Sequence, residues 1–212
     1  MTFDSINKEL KDDLEQNKKL SFDLIKSFTE LCKETFTESL DLSKGNPKEF
    51  MTVIEIITTI EGNLNPSLVK LGNEKIWFTL SKVAIELLMF KESNTFADAV
   101  IKFNDKNKIA WFNKGRFFEK EKEYEKAEKA FTKATNIDKE FYIAWFQIAS
   151  MYEKIELETA YQKYVKIVEL FPRSMSAWKR LEEVGGKLGH YEVAMKAQKR
   201  SFELSNDPNR KM

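Results

Sequence analysis

The chain of 212 residues is poor in the residues that cross-link or interrupt a polypeptide. It contains one cysteine, Cys32, with seven glycines and four prolines. A single cysteine cannot form an intrachain disulfide, which excludes a disulfide-stapled fold and fits a reducing cytoplasm. Glycine and proline are scarce and strand-like alternation of apolar and polar residues is missing, so the sequence indicates an all-α protein.

Long apolar runs and an excess of charge of one sign are missing too. The longest apolar stretch, 83–90, is interrupted by Glu86 and is much shorter than the ~18 residues of a membrane span. The amino terminus lacks the apolar segment of a secretory signal. Lys and Arg number 35 against 34 Asp and Glu, which disfavours a domain built to neutralise many phosphates. We expect a cytoplasmic protein that does not bind membranes, and the balanced charge disfavours general nucleic-acid binding.

No group of residues predicts catalysis. His190, the only histidine, has no ligands around it at metal-binding spacing. Cys32 falls on an apolar helical stripe and is most simply a core residue. Gly185-Gly186-Lys187 lacks the earlier glycine and the following Ser or Thr of a phosphate-binding loop. We therefore expect a non-catalytic protein without metal or cofactor.

The four tryptophans reveal an internal repeat. They lie at intervals of 34, 34 and 33 residues, and the letters IAWF occur at both 109–112 and 143–146. A fixed period in this range is typical of solenoid proteins. When tryptophan is counted as position 4, the repeats begin at Glu74, Lys108, Tyr142 and Met175, and the third has one residue fewer between its halves.

Each repeat has the pattern of a helical hairpin. Apolar residues between 123 and 137 recur every three or four residues, as on one face of a helix. Small residues at positions 8 and 20, such as Gly115 and Ala127, predict a close approach of two antiparallel helices. One hairpin cannot bury its apolar face alone, so the hairpins must stack.

This pattern resembles the tetratricopeptide repeat (TPR) family over about residues 74–206. The second and third repeats carry the signature best, through Trp111, Gly115, Phe118, Tyr124, Ala127, Phe131 and Ala134, and then Trp145, Ala149, Tyr152, Ala160, Tyr164 and Pro172. The resemblance implies a right-handed α-α solenoid of four hairpins. Half-a-TPR repeats of RNA-processing assemblies are a close relative, and Pro172, Trp178 and Glu182-Glu183 lean towards them.

The segments outside the repeats predict further helices. Residues 1–73 contain an amphipathic helix over 20–43 and another over 48–60, which Asn46 caps and Pro47 begins. This N-terminal region is a cap, a lid or an oligomerisation arm acting through residues 1–60. In the fourth repeat, Gln198 and Ser201 replace apolar residues at positions 24 and 27, so we expect its last helix to be a solvated cap, with a loose tail at 207–212.

The resemblance implies a peptide-binding groove, because the first helices of TPR hairpins line a concave surface through positions 2, 5, 6 and 9. An apolar ladder with a few polar groups suits an extended peptide or a helix. The residues at these positions are Phe78, Lys82, Ile109, Phe112, Asn113, Arg116, Ile143, Phe146, Gln147, Lys179 and Arg180. They match the carboxylate clamp for chaperone tails poorly.

Three functions remain open at this point. The first is a protein-interaction scaffold that binds a peptide or helix of unknown identity in the groove. The second is a structural subunit that forms homo-oligomers and fills the groove with its own N-terminal helices. The third is an RNA-processing scaffold of the half-a-TPR kind, with Lys179 and Arg180 as its basic end.

Overall fold

The computed structural model describes residues 1–16, 21–35, 47–64, 66–71 and 74–207, and every regular element in these ranges is an α-helix. The helices are α1 (Phe3–Glu15), α2 (Phe22–Thr35), α3 (Pro47–Gly62), α4 (Pro66–Leu71), α5 (Glu74–Glu86), α6 (Phe90–Phe103), α7 (Lys108–Lys120), α8 (Tyr124–Ile137), α9 (Tyr142–Tyr152), α10 (Leu157–Leu170), α11 (Met175–Leu188) and α12 (Tyr191–Ser205).

The first helices of the four repeats begin at the predicted positions. The first helices α5, α7, α9 and α11 begin at Glu74, Lys108, Tyr142 and Met175, where the tryptophan register placed them. In the N-terminal region, α3 begins at Pro47 as expected. The expected helix over 20–43 is described as α2 only, because residues 17–20 and 36–46, including Asn46, lie outside the described residues. So does most of the expected tail, 208–212.

The chain forms two compact units, Met1–Glu123 and Tyr124–Met212. The predicted boundary at residue 73 lies inside the first unit, and the boundary between units falls between the two helices of the second repeat. In the first unit α1 packs on α2 and α3, while α2 and α3 contact the first hairpin, α5 and α6. Phe28 of α2, Ile57 of α3 and Trp77 of α5 are buried in the same core.

The first hairpin closes on polar rather than apolar small residues. Ser81 of α5 and Ser93 of α6 occupy positions 8 and 20, and both are buried. The Ser93 hydroxyl donates to the backbone carbonyl of Ser81 at 3.1 Å, and the Ser81 hydroxyl donates to that of Ser93 at 3.2 Å. Asn113 of α7 donates to the Ser81 hydroxyl at 2.9 Å, which satisfies these buried polar groups and fixes α7 against the first hairpin.

The fourth hairpin makes its close approach at a different position. Position 8 holds Glu182, too large for a tight crossing. Instead, a Cβ added to Gly185 of α11 would lie 3.6 Å from the Cβ of Ala194 in α12. Both residues are buried, so α11 and α12 approach one turn later than positions 8 and 20 predict.

Three of the four hairpin turns share one backbone conformation. Leu88, Lys122 and Gly189 stand at position 15 of the first, second and fourth repeats and have φ angles of 59°, 62° and 80°. The following amide returns to the end of the first helix, as from His190 to the Gly185 carbonyl at 2.8 Å. Each of these residues therefore ends its helix in the left-handed αL conformation, which glycine adopts without strain. The third repeat lacks one residue here and turns differently.

The tryptophans of the last three repeats tie each first helix to the loop before it. The indole N–H groups of Trp111, Trp145 and Trp178 donate to the carbonyls six residues earlier, those of Asp105, Lys139 and Pro172, at 2.7, 3.0 and 3.0 Å. Because the bond recurs at one offset, the tryptophan both fills space and sets the angle at which the loop enters its helix.

Candidate peptide-interaction surface

The first helices of the third and fourth repeats, α9 and α11, are joined at two places in the second unit. Near their N-termini, the Tyr142 hydroxyl lies 2.7 Å from the Ser176 Oγ and accepts from the Ser174 hydroxyl at 2.8 Å. Near the C-terminus of α9, the Arg180 Nε donates to the Glu153 Oε1 at 3.0 Å. These two bridges frame the surface formed by positions 2, 5 and 6 of both helices.

The α9 side of this surface is apolar. Ile143, at position 2, is 56% exposed although it lies on a helix in a compact unit. Phe146, at position 5, is half-buried between two tyrosines, with ring centroids 5.6 Å from both Tyr142 and Tyr164. Tyr142 also makes an edge contact with Phe171 at 5.2 Å. The Phe146 ring is therefore held in place by aromatic neighbours while part of it stays accessible.

The α11 side is polar, and its two basic residues differ in state. Lys179, at position 5, is exposed. Arg180, at position 6, is bonded to Glu153 through two nitrogens and to Glu183 through a third. Its guanidinium is thus committed to joining α11 to α9, and two carboxylates balance its charge. The Tyr164 hydroxyl donates to the same Glu153, and burial together with this bond raises the Tyr164 pKa.

The first unit holds the other predicted site residues. Phe78 is half-buried against the core of the N-terminal helices and the first hairpin. Lys82 is exposed, while Ile109 and Phe112 are half-buried. The Arg116 guanidinium lies 5.5 Å from the centre of the Phe90 ring, a cation–π contact within this unit.

Asn113 has a structural role inside the first unit. Its side chain is 3% exposed and donates to Ser81. A buried amide with a protein partner is not available to a ligand, so Asn113 is left out of the surface proposed below.

The hydroxyl cluster of Tyr142, Ser174 and Ser176 is a feature that sequence reasoning missed. Tyr142 occupies position 1 of the third repeat, and Ser174 and Ser176 flank the start of the fourth. Ser174 is also the N-cap of α11, accepting from the Ala177 amide at 3.2 Å. A serine before a helix start is a recognisable N-cap signal in the sequence. The hydrogen bond to Tyr142, however, joins side chains 32 residues apart and depends on how the hairpins stack.

The described residues form neither a metal-binding cluster nor a membrane-spanning helix. They contain no group of three or more His, Cys, Asp or Glu side chains placed to hold an ion. Among the same residues, no helix combines the length and apolar character that crossing a bilayer requires.

The sequence of one repeat matches a family model. Residues 109–141 match a tetratricopeptide repeat. This stretch runs from the start of the first IAWF segment to two residues before the second. No curated protein matches the chain in sequence.

Solved structures with this fold are numerous, at low sequence identity. A structure titled "Crystal structure of MamA protein" has a TM-score of 0.66 at 12% identity, covering 90% of this chain and 96% of that one. MamA from Desulfovibrio magneticus RS-1 gives 0.61 at 17% identity, with 88% and 97% covered. YrrB, titled "a TPR protein with an unusual peptide-binding site", gives 0.59 at 13% identity, with 94% of both chains covered.

These likenesses establish the architecture. The fold is an all-α helical-repeat solenoid, and the helix boundaries, the tryptophan register and the matched repeat agree on its period. The chain therefore shares the fold of solved structures that include a tetratricopeptide-repeat protein, and residues 109–141 match the sequence of one such repeat.

Proposed function

We propose that the chain is a non-catalytic protein-interaction scaffold and that α9 and α11 of its second unit bind a segment of a protein partner. The observation that carries this proposal is the exposed Ile143 beside the fixed ring of Phe146. An apolar residue exposed on a rigid helix, next to an aromatic ring, is what an apolar side chain of a bound segment needs as an anchor.

The chemistry of the surface suggests what the bound segment carries. Ile143 and Phe146 take an apolar side chain. Lys179, exposed on the neighbouring helix, takes an acidic group. Helical-repeat surfaces of this composition suit an extended peptide or one face of a helix. That YrrB is titled as having a peptide-binding site supports this class of ligand.

Both alternatives have less support from the described residues. In the first unit the buried side chains of α2 and α3 belong to the core with the first hairpin, which favours a cap over a mobile arm. For RNA, Arg180 is balanced by two carboxylates, leaving Lys179 alone at the predicted basic end. The cytoplasmic location remains a prediction.

The experiment starts from peptides selected on the full chain with a displayed random library. Affinities of the selected peptides are then measured by calorimetry. Ile143→Glu places a charge on the apolar part of the surface and should weaken binding by about tenfold or more, since truncating a central anchor costs 2 kcal/mol or more. The melting temperature should not change, because exposed substitutions usually alter stability by less than about 0.5 kcal/mol.

Ile155→Glu is the matched control. Ile155 is also an exposed isoleucine in the second unit, but it lies in the turn after α9. It should leave peptide affinity unchanged. If the selected peptides bind both variants as tightly as the wild type, α9 is not their binding surface. A salt-sensitive interaction with RNA in place of any peptide would instead support the half-a-TPR alternative.

A further inference from the structure

The last helix, α12, exposes a row of large apolar side chains along one face. Tyr191, Met195 and Phe202 are 70%, 69% and 68% exposed. They are spaced by four and seven residues, so they form a single stripe, with Gln198 between Met195 and Phe202. The predicted solvated polar cap is therefore wrong in part. It was based on Gln198 and Ser201, and only Gln198 faces outward.

Ser201 points into the protein instead of towards solvent. Gln198, at position 24, is exposed as expected, but Ser201, at position 27, is buried and donates to the Gln198 carbonyl at 2.9 Å. The outward face consists of positions 17, 21, 24 and 28, and three of these four are apolar in the fourth repeat.

In the earlier repeats of the second unit the same positions are covered by the next hairpin. In α8, Phe131 and Thr135 at positions 24 and 28 are buried. Glu128 at position 21 receives the Tyr152 hydroxyl of α9 at 2.7 Å and the Lys163 amine of α10 at 2.9 Å.

The third repeat shows the same arrangement. In α10, Tyr164 and Val168 are buried at the equivalent positions, and the Tyr161 ring at position 21 packs on His190 of the fourth repeat at 4.5 Å. The face of α12 is therefore a stacking face of the array that no described residue covers.

We propose that a second copy of this chain covers the face, with two α12 helices packed antiparallel about a two-fold axis. A head-to-tail stack of copies would need a free outer face on the first hairpin. The chain's own α2 and α3 already pack there and bury Phe28 and Ile57. An isologous pair needs only the α12 face itself, since each copy presents the same stripe.

The charges beside the stripe fit this arrangement. With the Met195 side chains of the two copies meeting at the axis, which passes between residues 195 and 196, Phe202 of one copy lies two residues, or about 3 Å along the helix, from Tyr191 of the other. Glu192 of one copy then lies directly opposite Lys199 of the other. Both residues are exposed and lie on the same flank of the helix, seven positions apart. The symmetry forms this pair twice.

The chemistry of the stripe also suits a weak homodimer. Tyrosine, phenylalanine and methionine are enriched in protein interfaces. One helix per copy buries less than the roughly 1,200 Å² of a standard stable interface. We therefore expect a dissociation constant on the order of 10 μM, with monomer and dimer in a concentration-dependent equilibrium.

Sedimentation equilibrium of the full chain tests the proposal. The wild type should shift from 24.9 kDa towards twice that mass as concentration rises. Met195→Glu combined with Phe202→Glu should weaken association at least about 100-fold, because both anchors of the stripe then carry like charges. Ile143→Glu should leave association unchanged, so loss of peptide binding and loss of the dimer are separable.

A charge exchange tests the register. Glu192→Lys and Lys199→Glu should each weaken the dimer about two- to tenfold, and the double variant should restore it. Glu192 lies in the first turn of α12, where a carboxylate stabilises the helix, so circular dichroism of each variant checks that α12 stays folded. Failure of the double variant to recover association overturns the antiparallel register.

Other outcomes overturn the proposal as a whole. A wild type that stays at 24.9 kDa at every concentration contradicts it, and would leave the face for a helix of another protein. A dimer that persists in the Met195→Glu, Phe202→Glu variant contradicts it equally and would place association elsewhere, for instance in residues 1–60.

Discussion

Two glycines of the fourth repeat, three positions apart, have opposite conformational roles. Gly186 lies within α11, where an added Cβ would meet nothing within 4 Å. Gly189 ends that helix with a φ of 80°, which β-carbon-bearing residues adopt at a cost of roughly 1–2 kcal/mol. The sign of φ, rather than burial or solvent exposure, separates them.

We expect Gly186→Ala to stabilise the protein and Gly189→Ala to destabilise it, each by about 1 kcal/mol. Alanine favours the helix interior over glycine by that amount, whereas at Gly189 it is strained. Urea denaturation measures both. Equal shifts of the two midpoints in the same direction would show that φ does not control these positions.

Burial makes the one thiol unreactive. Cys32 is 1% exposed in the core of the first unit, and desolvation raises its pKa from 9.0 to about 12. The thiolate is the reactive form of cysteine, so a thiol with this pKa reacts slowly with alkylating reagents even when they can reach it.

The raised pKa predicts how stability depends on pH. The unfolded chain releases the Cys32 proton near pH 9, while the folded chain keeps it to about pH 12. Hence the free energy of unfolding does not depend on this group below pH 9 and falls as pH rises from 9 towards 12. Between about pH 8 and about pH 10, the urea midpoint of unfolding should fall further for the wild type than for Cys32→Ala. Equal losses would assign the pH dependence to other groups.

At the scale of helices, one carboxylate joins three elements of the second unit. Glu128 of α8 accepts from Tyr152 of α9 and from Lys163 of α10. Burial alone would raise the Glu128 pKa, but these two donors hold it below its ordinary value. The same bond and burial raise the pKa of Tyr152 to about 12. The carboxylate therefore stabilises this stacking interface only while it is ionised.

This arrangement predicts an acid-sensitive contribution from Glu128. Because its pKa is lowered in the folded state, the stabilisation is present above the unfolded value of 4.5 and is lost as pH falls through the lower folded value. Glu128→Gln should lower the urea midpoint at neutral pH and have little effect at about pH 3. Glu169→Gln, an exposed site on α10, is the control and should have little effect at either pH. A Glu128→Gln effect that is independent of pH would contradict the role of ionisation.

Helix positions were predictable because the repeat ties them to the tryptophans. Trp77, Trp111, Trp145 and Trp178 set the start of every first helix, and the starts agree with the structure. The position of the close approach in the fourth hairpin was not predictable. Position 8, where the other repeats have a small residue, holds Glu182, and the small residue at the crossing is Gly185. Nor was the buried Ser81–Ser93–Asn113 network, because polar residues at tight positions appear destabilising until their partners are known.

At the scale of the whole molecule, the sequence predicted the fold class and the number of repeats, whereas the binding site stays a prediction. Ile143 and Phe146 were identified from the repeated IAWF segment. Asn113 and Arg180 had the right positions but are bonded within their own units. Single-position patterns tell which face a residue is on and not whether a partner from another helix already holds it.

The exposed stripe of α12 shows the same limit. The polar residues Gln198 and Ser201 predict a polar end to the array if positions 24 and 27 both face outward. The structure separates them, so that Ser201 faces inward and Tyr191, Met195 and Phe202 face outward. Helical periodicity predicts that a stripe exists, whereas its orientation depends on the packing of α11 against α12.

The central claim is that α9 and α11 form the surface that binds a protein segment. Amide chemical-shift mapping of the isotope-labelled full chain, titrated with a library-selected peptide, tests it most directly. We predict that the largest shifts lie at 143–150 and 176–183, and that Ile143→Glu abolishes them at the same peptide concentration. Shifts concentrated on α12 or on α1 and α2, with α9 unchanged, would contradict it.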